Sequence, residues 1–254
     1  MKAFALASAS LCRRECLRFF RDRARALSSI ATAVLFWVLI GFGLGGSFAP
    51  LGMPRDMGSI EYLYPGTVVF VVLLTAIVGT FSLIEDRREG FLQGVLVAPV
   101  PRSSIVMGKV LGGATIAVAQ GALLLLLAPL VGIPFQPGGM GLALVALFLI
   151  AFAFNALGFV LAWRMESIQG FHGIVNLILM PMWFLSGALF PIAGAARGLE
   201  IAMRANPVTY GLDAFRGSIY AGSAAAAGNP QIAWLVTISF AATAFGLAVA
   251  VARR

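Results

Sequence analysis

Apolar positions run along this chain in six long blocks, 29–48, 64–84, 105–131, 140–163, 171–190 and 231–251, separated by shorter polar segments. Crossing about 30 Å of hydrocarbon takes roughly 20 mostly apolar residues in a helix. Each block reaches that length, and Lys109, near the start of the third, is the one formal charge inside them. A backbone in lipid has no water to bond, so it must satisfy its own N–H and C=O groups, which makes each block a helix. The pattern predicts an all-α integral membrane protein: one domain over 1–254 with six transmembrane helices.

The segments between the blocks have patterns of their own. Over 1–27, at 100° per residue, Arg14, Arg18, Arg21 and Arg25 fall within an arc of about 60°. Cys12, Cys16, Phe19, Phe20 and Leu27 occupy the other half, with Arg13 and Arg23 intruding among them. This predicts an amphipathic helix in the membrane interface, its four aligned arginines turned toward phosphate groups or a partner. A basic retention signal is the plainer alternative. In the connection 85–104, the charged run Glu85-Asp86-Arg87-Arg88-Glu89-Gly90 leads into Phe91, Leu92, Val95 and Leu96, a stripe on one helical face. Pro99 and Pro101 forbid continuation, and Ser103 or Ser104 can cap the next span. The expectation is a short amphipathic helix over 85–98 that serves for docking rather than only as an anchor.

On the other side of the membrane, 49–63 is a short loop with Pro50, Pro54 and Gly58, and Tyr62 and Tyr64 suit an aromatic belt. The segment 191–230 reads as two short helices: 193–204, broken by Asn206-Pro207, then 210–220 capped by Thr209, with Asp213 and Arg216 paired one turn apart. The pairs Gly41-xxx-Gly45 and Gly108-xxx-Gly112 permit close helix approach, within one subunit or between two.

Composition agrees with this reading. Of 254 residues, 60% are hydrophobic and 11% charged, and mean hydropathy is +0.96. A soluble domain would carry about 25% charged residues. The net charge of +8 is spread over segments flanking helices rather than gathered on one soluble face, which argues against nucleic acid. Of the 18 Lys and Arg residues, fourteen lie in 1–27, 85–109, at Arg164 and at the C-terminus. Basic loops stay in the cytoplasm, so both termini are expected there. The first apolar block follows a long charged segment and is too long for a cleaved signal, so it is expected to remain as an anchor. Cys12 and Cys16 could pair as metal ligands on a helix, but no His or third Cys is near, and packing as small apolar groups is the better reading.

Gln120, Asn155, Asn176 and His172 are the polar groups at membrane depth, and helix–helix hydrogen bonds are their commonest use. No carboxylate lies in a span, which argues against a proton- or cation-coupled carrier and favours amphiphilic or apolar cargo. One His without clustered carboxylates gives a lipid-modifying enzyme little to work with.

Two stretches carry a family resemblance. One is Glu85-Asp86-Arg87-Arg88-Glu89-Gly90-Phe91-Leu92, continuing through Leu96-Val97-Ala98-Pro99-Val100-Pro101-Arg102 to Gly108-Lys109. The other is Asn206-Pro207-Val208-Thr209-Tyr210-Gly211-Leu212-Asp213-Ala214-Phe215-Arg216, preceded by Phe184-Leu185-Ser186-Gly187 and Pro191. With the six-span layout, they resemble the integral-membrane permeases of ATP-binding-cassette exporters of the ABC-2 type. The resemblance implies a homodimer, or a heterodimer with a similar permease, in the bacterial inner membrane. Each subunit would dock a separate ATP-binding subunit that holds ATP and Mg, with no cofactor on this chain. That agrees with the absence of a Gly-xxxx-Gly-Lys-Ser/Thr loop from this sequence. Glu85, Arg87, Arg88, Glu89, Phe91, Leu92, Val95 and Leu96 would form the coupling helix that docks the ATPase, and the N-terminal helix the connecting helix. The second and fifth spans would line the pathway, which points to Thr75, Asn176 and Phe184. Function would be export of an amphiphilic, lipid-linked or drug-like substrate by alternating access. The competing readings are a membrane scaffold or assembly factor, and a membrane-embedded lipid-modifying enzyme.

Overall fold

The computed structural model describes residues 2–21, 58–133, 137–192, 194–220 and 228–253, with isolated positions at 23, 27, 28, 31, 34, 35, 38 and 39. The expected span 29–48 lies outside the described residues apart from those isolated helical positions, as do Arg25, most of the loop 49–63 and Gly41-xxx-Gly45. The described residues hold helices and no strand. In order they are α1 (Lys2–Arg21), α2 (Ser59–Gly79), α3 (Phe81–Arg88), α4 (Phe91–Val97), α5 (Arg102–Leu126), α6 (Pro137–Ala162), α7 (Ile168–Phe184), α8 (Arg197–Ala205), α9 (Pro207–Ile219) and α10 (Pro230–Arg253).

Four of the runs are long and apolar enough to cross a membrane: Ile60–Arg88, Arg102–Leu130, Pro137–Ala162 and Pro230–Arg253. The fifth expected block, 171–190, is helical over part of its length: α7 is a shorter apolar helix of 17 residues, about 26 Å at 1.5 Å per residue. Its helix ends at Phe184 and the chain continues through turns to Phe190. Pro181 lies inside the last turn of α7 and contributes no N–H to it.

α6 is the centre of the bundle and packs against α2, α5, α9 and α10. α2 is the most enclosed span, 72% of its apolar window being buried, while α10, at 28%, is an outer rod that shows most of its surface. Small residues set the close approaches. A Cβ added to Gly113 of α5 would lie 1.9 Å from Asn155 Nδ2 of α6, and Asn155 donates to the Ala76 carbonyl of α2 at 2.7 Å. One buried amide thus ties three spans, the use expected of a polar group inside a bundle.

Gly108-xxx-Gly112 also has a partner, and it lies within this subunit. A Cβ at Gly108 would come within 2.6 Å of Leu11 Cβ, and one at Gly112 within 2.6 Å of Glu15 Cβ. The backbone of α1 therefore lies directly on α5. Ser8, Leu11, Glu15 and Phe19 are its buried side, and Ser8 Oγ donates to the Ser104 carbonyl at 3.1 Å.

Four local expectations need correction. The helix expected over 85–98 is two helices, because Gly90 sits at φ +77° between α3 and α4, the left-handed region glycine enters without strain. α5 starts at Arg102 with Pro101 as its N-cap, so neither Ser103 nor Ser104 is the cap, and Ser104 Oγ donates back to the Pro101 carbonyl. The first of the two short helices starts at Arg197, not 193. The second starts at Pro207, capped by Asn206 Oδ1 accepting from Val208 N at 3.1 Å, and Thr209 instead donates to the Met203 carbonyl.

The Asp213–Arg216 ion pair does not form either. Arg216 lies over the Tyr62 ring at 4.6 Å and donates to the Tyr62 and Gly187 carbonyls. Asp213 is half-buried without that bond, and desolvation pushes its carboxyl up to about 6 against the pull of the Arg216 charge.

Candidate functional site

Most of the charges among the described residues gather at one end of the bundle, where α1, the α2–α3 run, α4, the start of α5 and the C-terminal helix meet. Arg102 donates to the Ala252 and Arg253 carbonyls, so both ends of the chain lie on this side.

Asp86 is at the centre and is completely buried. Arg14 of α1 grips it with two parallel bonds, Nη2 to Oδ1 at 2.8 Å and Nη1 to Oδ2 at 3.0 Å. Arg18 donates from Nη1 to the same carboxylate at 3.0 Å and from Nη2 to Glu85 at 3.0 Å. From the other side Lys109 of α5, only 5% exposed, donates to Asp86 and, at 2.6 Å, to the buried Glu15 of α1. Ser82 Oγ is a further contact of the Lys109 ammonium at 3.4 Å. Three cations thus meet Glu15, Glu85 and Asp86, with Glu89 3.7 Å from Arg18. Charges taken out of water are tolerable when each is paired and hydrogen-bonded, and here they are. The bonds to Asp86 raise the Arg14 pKa above its ordinary value, which keeps the guanidinium charged.

This corrects the reading of the N-terminal arginines. Arg14 and Arg18 do not point toward lipid phosphates. They turn inward to carboxylates some 70 positions away in sequence, while Arg21 is exposed and Arg25 lies outside the described residues. Cys16, on the same helix, approaches the Gly112 carbonyl with its Sγ at 4.0 Å, and burial pushes its thiol up to about 11. Its thiol is therefore protonated at neutral pH.

α4 is fastened to this cluster by its first residue, since the Arg14 guanidinium stacks 3.7 Å from the centre of the Phe91 ring. Leu92 is buried in the core, and Phe91, Val95 and Leu96 are half-buried against it. The apolar stripe singled out for docking therefore faces inward. The side of α4 that meets solvent is Gln93, Gly94, Val97 and Ala98, with Val97 85% exposed. The basic residues of α3 are engaged within the chain as well. Arg87 donates to the Met165 and Trp163 carbonyls and Arg88 to the Glu166 carbonyl, which clamps the α6–α7 connection.

The three expected pathway residues separate. Thr75 donates to Gln120 Oε1 at 2.5 Å and lines a cavity of about 460 Å³ with Phe70, Leu74, Ile116, His172 and Met180. Asn176 and Phe184 do not line it and lie on the exposed side of α7. Sequence reasoning missed Glu15 and Asp86. Lys109 was visible as the lone charge in a span, but its partners come from other elements and leave no local signature.

Among relatives, the chain is 28% identical over 174 residues to nodulation protein J of Sinorhizobium fredii (strain NBRC 101917 / NGR234), covering 67% of this chain and 64% of that protein. It is 24% identical over 221 residues to the inner membrane transport permease YhhJ of Escherichia coli (strain K12), covering 86% and 54%. With the inner membrane transport permease YadH of the same organism it shares 22% over 218 residues, covering 85% and 84%. The chain thus spans between half and two thirds of the length of the first two. The family profile described as ABC-2 type transporter matches residues 8–220, most of the sequence and all of the charged junction, and the chain belongs to that family.

Proposed function

We propose that this chain is the permease subunit of an ATP-driven exporter, a dimer in the bacterial inner membrane with both termini cytoplasmic. Family membership supports the transporter reading. The concentration of Lys and Arg at the end carrying α1 and α4 supports the orientation. The observation that carries the docking assignment is the geometry of α4. It is a short helix, bracketed by Gly90 and Pro99, braced from below by Leu92 and Arg14, with the face of Gln93, Gly94, Val97 and Ala98 left open. A separate ATPase carrying ATP and Mg would close on that face. Its motion would reach the spans through Asp86, Lys109 and Glu15 and switch the cavity beside Thr75 between the two sides. The cavity is mostly apolar, with Glu15, Arg18, Thr75, Gln120 and His172 also at its wall, which suits an amphiphilic or drug-like cargo.

The test exploits the two faces of α4. Val97→Asp should leave the permease folded but reduce co-purification with its ATPase, and nucleotide-driven transport in liposomes, by tenfold or more. Leu92→Asp should fail earlier, by loss of the folded protein, because it buries a charge with no partner. Full ATPase recovery and transport with Val97→Asp would remove the docking assignment.

A further inference from the structure

The acidic and basic residues of α3 turn to different neighbours. Glu85 and Asp86 reach α1 and α5. Arg87 and Arg88 adjoin three acids in sequence, yet among the described residues neither has a carboxylate partner. Their guanidinium groups hold main-chain carbonyls of the α6–α7 connection instead. Arg87 donates to the Met165 carbonyl at 3.2 Å and to the Trp163 carbonyl, with its guanidinium 5.6 Å from the centre of the Trp163 ring. Arg88 donates to the Glu166 carbonyl from Nε at 3.1 Å and from Nη2 at 2.6 Å. The next residue, Ser167, caps α7 by accepting from Gly170 N at 3.2 Å. Phe81, at the other end of α3, packs edge-on against Phe171 at 5.3 Å and His172 at 5.4 Å. α3 therefore meets the base of α7 at both of its ends, and Gly90 lies between α3 and α4.

We infer that Arg87 and Arg88 are positioning residues that carry movement of α4 into α7, on a route separate from the cluster of Asp86, Lys109 and Glu15. The inference rests on the docking assignment proposed for α4. A main-chain carbonyl cannot swing away as a side chain can, so a pull on these carbonyls displaces the start of α7 itself. The guanidinium fork presents its donors in a fixed plane, which resists sliding and rotation together. Beyond this clamp α7 rests on α2 and α6, and Ile174, Leu177 and Ile178 are exposed on its open flank. It carries His172 and Met180 on the cavity wall, facing Val78 and Thr75 of α2. Movement of α7 against α2 changes the width between those walls. α2 needs no clamp of this kind, because α3 continues it with only Thr80 between them.

The test places single cysteines on the two walls in a Cys12→Ser/Cys16→Ser background: Met180→Cys reports on α7 and Val78→Cys on α2. The permease is reconstituted in liposomes with its co-purified ATPase, and labelling by N-ethylmaleimide is timed with and without ATP and vanadate. With both arginines intact, nucleotide should change the rate at each cysteine by about threefold or more. In complexes that retain the ATPase, Arg87→Gln/Arg88→Gln should abolish the change at Met180→Cys and preserve it at Val78→Cys. Arg88→Gln alone, a milder change at an exposed position, should reduce the response at Met180→Cys only. An undiminished response at Met180→Cys in the double variant would overturn the inference. Loss at both cysteines together would also overturn it, by making the arginines general braces of this end. No response to nucleotide with both arginines intact would bring down the docking assignment, and the inference with it.

Discussion

Lys109 sits where a membrane protein can least tolerate an unpaired charge, and its two carboxylate partners come from α1 and from the end of the α2–α3 run. Replacing it with methionine keeps much of the volume but leaves the buried Glu15 and Asp86 to share the partly exposed Arg14 and Arg18. The expected cost is about 3 kcal/mol, the range found when one partner of a buried pair is removed. Neutralising a carboxylate as well removes part of the imbalance, so Glu15→Gln/Lys109→Met should lose less than the sum of the two single changes. Unfolding of the four proteins in one detergent measures this, and strict additivity would show that the pair is not coupled. The lone charge was legible in the sequence as an anomaly in an apolar block. Its meaning was not, because ion pairs between elements leave no periodicity.

The helices themselves were readable, since hydrophobic length and proline or glycine punctuation are local. Which way a helix faces was not. α4 shows an apolar stripe and a small polar side, and its sequence cannot say that the core lies under the stripe. The bond from α1 to α5 depends on two glycines that were legible as a motif but not as a choice of partner. Two substitutions separate the physical reasons for glycine here. Gly112→Ala places a Cβ 2.6 Å from Glu15 Cβ, so α1 must lift off α5, and protease cleavage within α1 should become rapid. Gly90→Ala meets nothing within 4 Å but must hold φ +77°, which costs about 1–2 kcal/mol of backbone strain. It should lower stability while leaving α1 protected. Equal protection of α1 in both variants would contradict the packing described for Gly112.

At the scale of the whole molecule, the bundle has a tied end and two kinds of open flank. α10 shows Leu235 and Ile238 outward, and between its ends the exposed polar side chains are the small hydroxyls of Ser239 and Thr243, the latter bonded to the helix's own backbone, as suits a lipid-facing rod. α7 also exposes large apolar residues, Leu177 at 75% and Phe184 at 45%, but carries Asn176 in the same stripe. An amide held in hydrocarbon gains from a partner across an interface, so a second copy on α7 satisfies Asn176 where lipid cannot. In the proposed dimer this flank would face its symmetry mate. With Cys12 and Cys16 changed to serine, Asn176→Cys should therefore form a disulfide-linked dimer in native membranes under mild oxidation. Leu235→Cys, also exposed but on α10, should not. If the two cysteines cross-link alike, or only Leu235→Cys does, the dimer is built on another flank, and the cavity beside Thr75 must be closed by something other than the α7 of a second copy.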